Sequence, residues 1–372
     1  MEQKKIVIIG TSEGQRQLYI AAKNKGLYTV AFSYNQGCIP HELIDEFYEI
    51  SVLEKDTIVD ICRQIGVDGV VSNGSELTAN IASYVADQLN LVCTPNSRFV
   101  LLQDKAKVRC ITANIEELCS IRSYLFDENN PEPKFLPCVV KPIGGSGKSG
   151  VSFANSKQEF QDALSYSMRS MDMTPLIEEY AQGREVSVES ISYKGRHFVV
   201  QITDKISSGP PHFVELAHHQ PSTFSKEIKD KIRRVVSRIL NAVGYVSGAS
   251  HIELKITDDG NIYLIEINPR GGGDEISNSL VQLSTGYDYI GAMVDVAMGN
   301  FSEPIIEDRM CSGILFLTKQ TEALLPFFKT AKDQSWYVGG SVSSFDLQEC
   351  TGNAVKNGYI IYQSETRLVD SI

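Results

Sequence analysis

Along the first hundred residues the apolar positions switch repeatedly between two rhythms. Ile6-Val7-Ile8-Ile9 is a short continuous apolar run, and QRQLYIAAKNKG after Gly14 spaces its apolar residues along one helical face. The succession recurs: YTVAFSY (28–34) and DGVVSNG (68–74) read as strands, and LTANIASYVADQLN reads as a helix. Apolar strands separated by helices predict a parallel sheet covered on both faces. DENNPEPKFLP (127–137) sets three prolines among polar residues and predicts a loop. Beyond it the pattern becomes α+β. VVKPI and GVSFA read as strands, SKQEFQDALSYSM as a helix capped by Asn155 or Ser156, and TPLIEEYAQGREVSVESISYKGRHFVVQITDK as further strands. Residues 227–244 have helical spacing with a glycine stop, and residues 249–269 read as a β-hairpin with Asp259-Gly260 at its tip. LVQLSTGYDYIGAMVDVAMG predicts one helix, and residues 305–372 predict mixed strands forming a cap.

Composition narrows the function. A chain of 372 residues has room for two or three domains, and 42% hydrophobic with 22% charged residues is ordinary for a globular protein. A net charge of −11 argues against a general binder of nucleic acid or anionic membranes, and no apolar run approaches a membrane span. The lead MEQKKIVIIGTSEG passes from a few charges directly into a strand, so no signal peptide is expected. The eight cysteines form no CxxC pair, and reduced thiols in the cytoplasm are the reading. The six histidines include no HExxH, so zinc is not expected.

Two glycine motifs invite nucleotide readings. GTSEGQ after the first strand does not match GxGxxG, and the second strand ends in Phe32-Ser33-Tyr34 without a ribose-binding acid, so a Rossmann-like unit without dinucleotide is expected. GSGKS within VVKPIGGSGKSGV resembles the end of a P-loop, but Pro142 stands where the first Walker glycine belongs, and a strand follows instead of a helix. A glycine loop between two strands suits a lid whose backbone N–H groups, at Gly145, Ser146 and Gly147, close on an anion.

The hairpin carries the sharpest chemistry. If Asp259 and Gly260 form a two-residue loop, Glu253 lies directly opposite Glu266, with Asn268 on the same face. Opposed carboxylates repel unless a cation joins them, and a hard oxygen set favours Mg²⁺ or Mn²⁺ shared with phosphates. The bland alternative is a pair of acids on a solvated face. Lys141 before the glycine loop and Lys105 in DKAKVR are candidate phosphate cations. In LIEEYAQGREVSVE, main-chain groups around Glu178, Glu179, Tyr180 and Ala181 could meet adenine, and Glu185 could accept from ribose.

The ordered set DKxxxR, VVKPxxGxGxxGV, EEYxxGREVSVE, HIELK and EINPRxGG resembles the ATP-grasp superfamily of carboxylate–amine ligases over residues 5–300. The resemblance implies an α/β and α+β chain: a Rossmann-like pre-ATP-grasp domain (1–103), a small lid subdomain with the glycine loop (104–180), a large subdomain with the metal and catalytic residues (181–304), and a cap completing the domain (305–372). It implies ATP with two Mg²⁺ ions, Lys105 and Lys141 on the phosphates, residues 178–181 as the adenine hinge and Glu185 on the ribose. It further implies Glu253, Glu266 and Asn268 on metal, Arg270 beside Lys141 in catalysis at the transferring phosphoryl group, and dimerisation as a common state. Substrates would be a small carboxylate and an amine. NPRGGGDEISNSLVQLSTGYD (268–288) departs from the biotin-carboxylase pattern and looks closer to the L-amino acid ligases, the dipeptide synthetases. Arg270, Gly271, Gly272, Gly273, Asp274, Glu275 and Ser277 would then border the acceptor pocket. Asp274 or Glu275 could bind a substrate ammonium or take its proton, unless both simply face water. His218 or His219 could touch substrate, unless that strand is a solvated edge. A purine-pathway or carbamoyl-phosphate-type ligase, or a regulator that binds ATP without catalysis, is the alternative.

Overall fold

The computed structural model describes residues 3–35, 37–145, 149–211, 213–347 and 356–369. The expected parallel sheet is built from β1 (Lys5–Ile9), β2 (Tyr28–Ser33), β3 (Glu46–Glu49) and β4 (Gly69–Val71), in the order β3-β2-β1-β4. Ile6, Val7, Ile8 and Ile9 are all fully buried, because helices cover both faces of the sheet. The edge strand β3 escapes the sequence pattern: EFYE is short, and an acid stands at each end.

A second sheet, antiparallel, takes β5 (Ser123–Leu125), β6 (Cys138–Pro142), β7 (Ser152–Ala154) and β8 (Pro175–Glu179), in the order β5-β8-β6-β7. The glycine loop therefore joins two antiparallel neighbours, β6 and β7, as its flanking sequence predicts. Cys138, Val140, Ala154, Phe160, Ala163, Leu164 and Ile177 give this sheet a core of its own.

The third sheet has eight strands: β9 (Arg184–Tyr193), β10 (Arg196–Ser207), β11 (Glu215–Gln220), β12 (Gly248–Ile256), β13 (Ile262–Asn268), β14 (Cys311–Leu317), β15 (Tyr337–Val342) and β16 (Gly358–Ser364). Their order is β13-β12-β9-β10-β11-β14-β16-β15. The C-terminal strands thus extend the large sheet. Ile6, Leu18 and Tyr19 of the parallel-sheet unit share one core with Ile191, Val200, Ala249, Tyr289 and Val294. Those two units are packed together, while the small sheet keeps a separate interior.

Two local expectations are corrected. The helix expected over 280–299 is interrupted: Gly286 adopts φ +75° after the Val281–Thr285 helix, and the Asp288 side chain caps Tyr289–Ala297 by accepting from Gly291 N at 2.8 Å. The hairpin tip is a three-residue loop, because Thr257 N donates to Asn261 O and Gly260 N to Thr257 O, with Gly260 at φ +80°. A type I turn followed by a left-handed glycine gives this geometry, whereas a two-residue loop asks for positive φ at Asp259 as well. Leu254 then faces Leu264, and a bulge at Ile265 shifts the register so that Glu253 still faces Glu266. No described helix is long and apolar enough to cross a membrane.

Candidate active site

Between the small and large sheets lies an open cleft. The residues expected to handle a nucleotide converge there. Lys105, Lys141, Gly145, Glu178, Glu179, Tyr180, Ala181, Glu185, Glu253 and Glu266 all line it. Asn268 lines the adjoining recess with Lys105, Glu266 and Glu76. Ser146 and Gly147 lie outside the described residues.

The wall on the small sheet is cationic. Lys141 Nζ sits 2.5 Å from Glu178 Oε2, and the Arg109 guanidinium grips the same carboxylate through Nε at 2.6 Å and Nη2 at 3.1 Å. Burial alone would push the Glu178 carboxyl up, but Lys141 and Arg109 outweigh it and hold it at about 2. Burial, with Arg109 and Lys105 nearby, lowers the Lys141 ammonium pKa despite its partner. Lys105 Nζ reaches both Glu266 Oε1 (2.9 Å) and the Gly145 carbonyl (3.0 Å), anchoring the start of the glycine loop.

The hinge strand commits several of its groups within the fold. The Glu178 side chain points into this ion-pair cluster, and the amides of Glu179 and Tyr180 already donate to Arg122 O (2.9 Å) and Pro137 O (3.2 Å). What the hinge presents is the Tyr180 ring, stacked with Phe213 at 6.2 Å and capped by Lys255 Nζ at 4.4 Å.

On the large sheet, adjacent strands focus carboxylates on one buried lysine. Lys205 Nζ lies 3.1 Å from Glu185, 3.1 Å from Glu215 and 2.7 Å from Glu253. Burial opposes its charge, yet the three acids keep its pKa well above normal. Glu253 and Glu266 are direct cross-strand partners, compensated by Lys205 and Lys105 respectively. Among the described residues no group of three or more His, Cys, Asp and Glu gathers as a metal site. The donor set is two carboxylates and the buried Asn268 amide, an all-oxygen set that fits a hard divalent cation.

Arg270 donates through Nη1 to the Gly271 carbonyl at 2.8 Å; its Nη2 stands 3.9 Å from Glu76 Oε1, and its buried Nε has no hydrogen-bond partner. Its guanidinium is thus only loosely committed. Burial, then Glu266, raises the Glu76 pKa.

The proposed acceptor loop is held from both sides: Gly271 N donates to Asn73 Oδ1 (3.0 Å) and Gly272 N to Glu189 Oε2 (2.9 Å). Ser277 joins the same clasp, donating to the Gly272 carbonyl at 2.7 Å, while Gly273 is open to space. Asp274 is exposed to water and Glu275 partly so, and both already have partners within the fold. Asp274 Oδ2 lies 3.0 Å from Lys356 Nζ and 3.4 Å from His218 Nε2, which hold it well below the usual carboxylate range although burial opposes them. Glu275 accepts from Ser279 Oγ at 2.6 Å. His219 is also corrected: it is fully buried, its Nδ1 meets the Tyr362 hydroxyl at 2.7 Å, and burial lowers its pKa to about 3. Its strand β11 runs between β10 and β14 as an interior strand of the sheet.

Sequence reading missed Glu76, Lys205 and Glu215, and gave no role to Arg109, Glu189 and His251, which stand in the quoted motifs. The available signal was a charge inside an otherwise apolar strand, as at Lys205 in VVQITDKI. Glu76, in the first turn of a helix, passes for an ordinary response to the helix dipole.

Residues 134–279 match the family described as ATP-grasp domain. The chain is 22% identical over 334 residues to carnosine synthase 1 of Mus musculus, covering 80% of this chain and 40% of that protein. It is 28% identical over 251 residues to an uncharacterized protein of Sinorhizobium fredii, covering 65% and 46%. It therefore spans less than half the length of these curated relatives. The crystal structure of an L-amino acid ligase from Bacillus licheniformis superposes with a TM-score of 0.82 at 21% identity, over 98% of this chain and 94% of that one.

Proposed function

We propose that this chain, which has the ATP-grasp fold and carries an ATP-grasp domain over residues 134–279, is an ATP-dependent carboxylate–amine ligase acting on amino-acid substrates. The observation that carries the reading is the cleft: two lysines from the lid side face two opposed carboxylates on its floor. In this reading Lys105 and Lys141 bind the phosphates, Tyr180 and Ala181 border the base, and Glu185 accepts from the ribose. Glu253, Glu266 and Asn268 would hold Mg²⁺ or Mn²⁺, which supplies charge neutralisation to the phosphates when bound.

A substrate carboxylate oxygen attacks the γ-phosphorus, ADP leaves, and an acyl phosphate results. The amine then attacks the acyl carbon, phosphate departs, and the amine proton is lost as the amide forms. Arg270, with its loosely held guanidinium, is suited to stabilise the charge spread over the transferring group. The glycine loop, tethered by Lys105, would keep water from the acyl phosphate when closed. The described cysteines at 38, 62, 93, 110, 119 and 138 form no disulfide, in keeping with a cytoplasmic setting.

The test is Mg²⁺-dependent release of ADP and phosphate against a matrix of amino acids, with mass detection of products. Release that requires two amino acids and yields their dipeptide supports the proposal. Release that requires bicarbonate or a purine intermediate replaces the amino-acid assignment with the alternative ligases. ATP binding without release under any pairing makes the chain a nucleotide-binding regulator.

A further inference from the structure

Glu189 lies outside every nucleotide contact assigned above, yet it is fully buried. An isolated carboxylate at that depth costs several kcal/mol unless its oxygens are matched by donors. Here each oxygen is matched. Oε1 shares a short hydrogen bond with His251 Nδ1, and Oε2 accepts from Gly272 N at 2.9 Å. The other ring nitrogen of His251 lies 3.3 Å from Glu253 Oε1. Strand pairing makes this row an architectural feature: His251 is the cross-strand partner of Glu189 on one side and Asn268 on the other. Glu253, two residues on, points to the same face. The row thus runs from the Gly272 backbone through Glu189 and His251 to the carboxylate that faces the cleft.

Gly272 is shaped to this pair. A Cβ there would lie 2.6 Å from His251 Nδ1 and 2.7 Å from Glu189 Oε1, so the turn can approach only as glycine. An imidazole bonded at both nitrogens has its ring orientation set, and groups behind a metal ligand commonly fix that ligand's direction.

We propose that Glu189 and His251 are positioning residues that fix the Glu253 carboxylate toward the cleft and lock the Arg270–Gly272 turn to it, keeping the phosphate-binding and acceptor halves of the site in register. This rests on the ligase reading. The two halves are also joined through the backbone of β13.

His251→Asn tests it, because the shorter amide can still donate to Glu189 but ends short of Glu253. Mn²⁺ binding in the presence of ADP is measured by calorimetry, with ATP turnover and melting temperature alongside. The expected result is a 10–100-fold loss of Mn²⁺ affinity and a lower kcat in a folded protein. Gly272→Ala, which pushes a methyl group into the pair while removing no polar atom, is expected to give the same signature. His251→Gln, which can reach Glu253, should recover part of the affinity. Unchanged Mn²⁺ affinity in folded His251→Asn overturns the proposal, as does a loss no larger than the loss of folded protein. If His251→Asn does not fold, Glu189→Gln is read in the same assay. Wild-type protein that binds ADP with no dependence on Mn²⁺ or Mg²⁺ would instead remove the ligase reading, whatever the variants do.

Discussion

Lys141 and Glu178 touch each other, yet their removal should have opposite consequences. In Lys141→Ala the Glu178 carboxylate keeps its bidentate Arg109 partner, so the buried charge stays compensated. Turnover should fall by about a hundredfold or more with the fold retained, as measured by ADP release and circular dichroism. Unaltered turnover would take Lys141 out of the site. In Glu178→Ala, Lys141 and Arg109 lose their shared partner, and breaking a buried pair in this way costs about 3–5 kcal/mol. That variant should lose stability first, seen as a lower urea midpoint. Acid should reproduce part of the loss. The Glu178 carboxyl sits at about 2 in the fold, below its ordinary value of 4.5, so its contribution is complete above the ordinary value and disappears as pH falls towards about 2. Wild type should therefore weaken across that window, while Glu178→Ala should show a flatter acid profile there.

The β12–β13 hairpin shows how much of an element the sequence carries. Alternating apolar residues and Asp-Gly mark the strands and the tip, but Glu253 meets Glu266 because the bulge at Ile265 offsets the longer loop. The loop length was not legible. Asp259-Gly260 serves a two-residue loop or the end of a three-residue one, and the bulge at Ile265 leaves no mark in an apolar run. The partners of Lys205 and Glu189 were hidden for a related reason: each acid or base alone reads as an exposed strand position, and only sheet order puts them together. Likewise the edge assigned to β11 failed because β14, which covers it, is distant in sequence. Gly260→Ala addresses the tip directly. Positive φ costs a Cβ-bearing residue about 1–2 kcal/mol, so stability should drop by about that much. Turnover at saturating ATP should stay near wild type, because the carboxylate pair lies beyond the turn. A collapse of turnover would mean the tip sets the register after all.

At the scale of the molecule, the parallel sheet and the large sheet share one interior, whereas the small sheet has its own. The small sheet can therefore move as a body with few apolar contacts to break. Amide exchange should reflect this division. With Mg²⁺ and ADP, protection should rise most over β6 to β8, residues 138–179, and little over residues 5–71. Uniform protection throughout would instead indicate that all three units move together. The parallel sheet at the start of the chain and the α+β pattern after it were legible because the hydrophobic rhythm changes between them. The addition of β14, β15 and β16 to the large sheet was not, since strand order has no local sequence signal.

The bulge at Ile265 makes its neighbourhood a mechanical junction. Its carbonyl accepts from Arg109 Nη2 at 2.9 Å, the same guanidinium that clasps Glu178 at the end of lid strand β8. One residue further along the chain, Glu266 faces Glu253. A swing of the lid that carries Glu178 away must break the Arg109–Glu178 pair, strip Arg109 from that carbonyl, or drag the strand bearing Glu266 with it. One guanidinium thus stands where lid travel would be felt by the two acids.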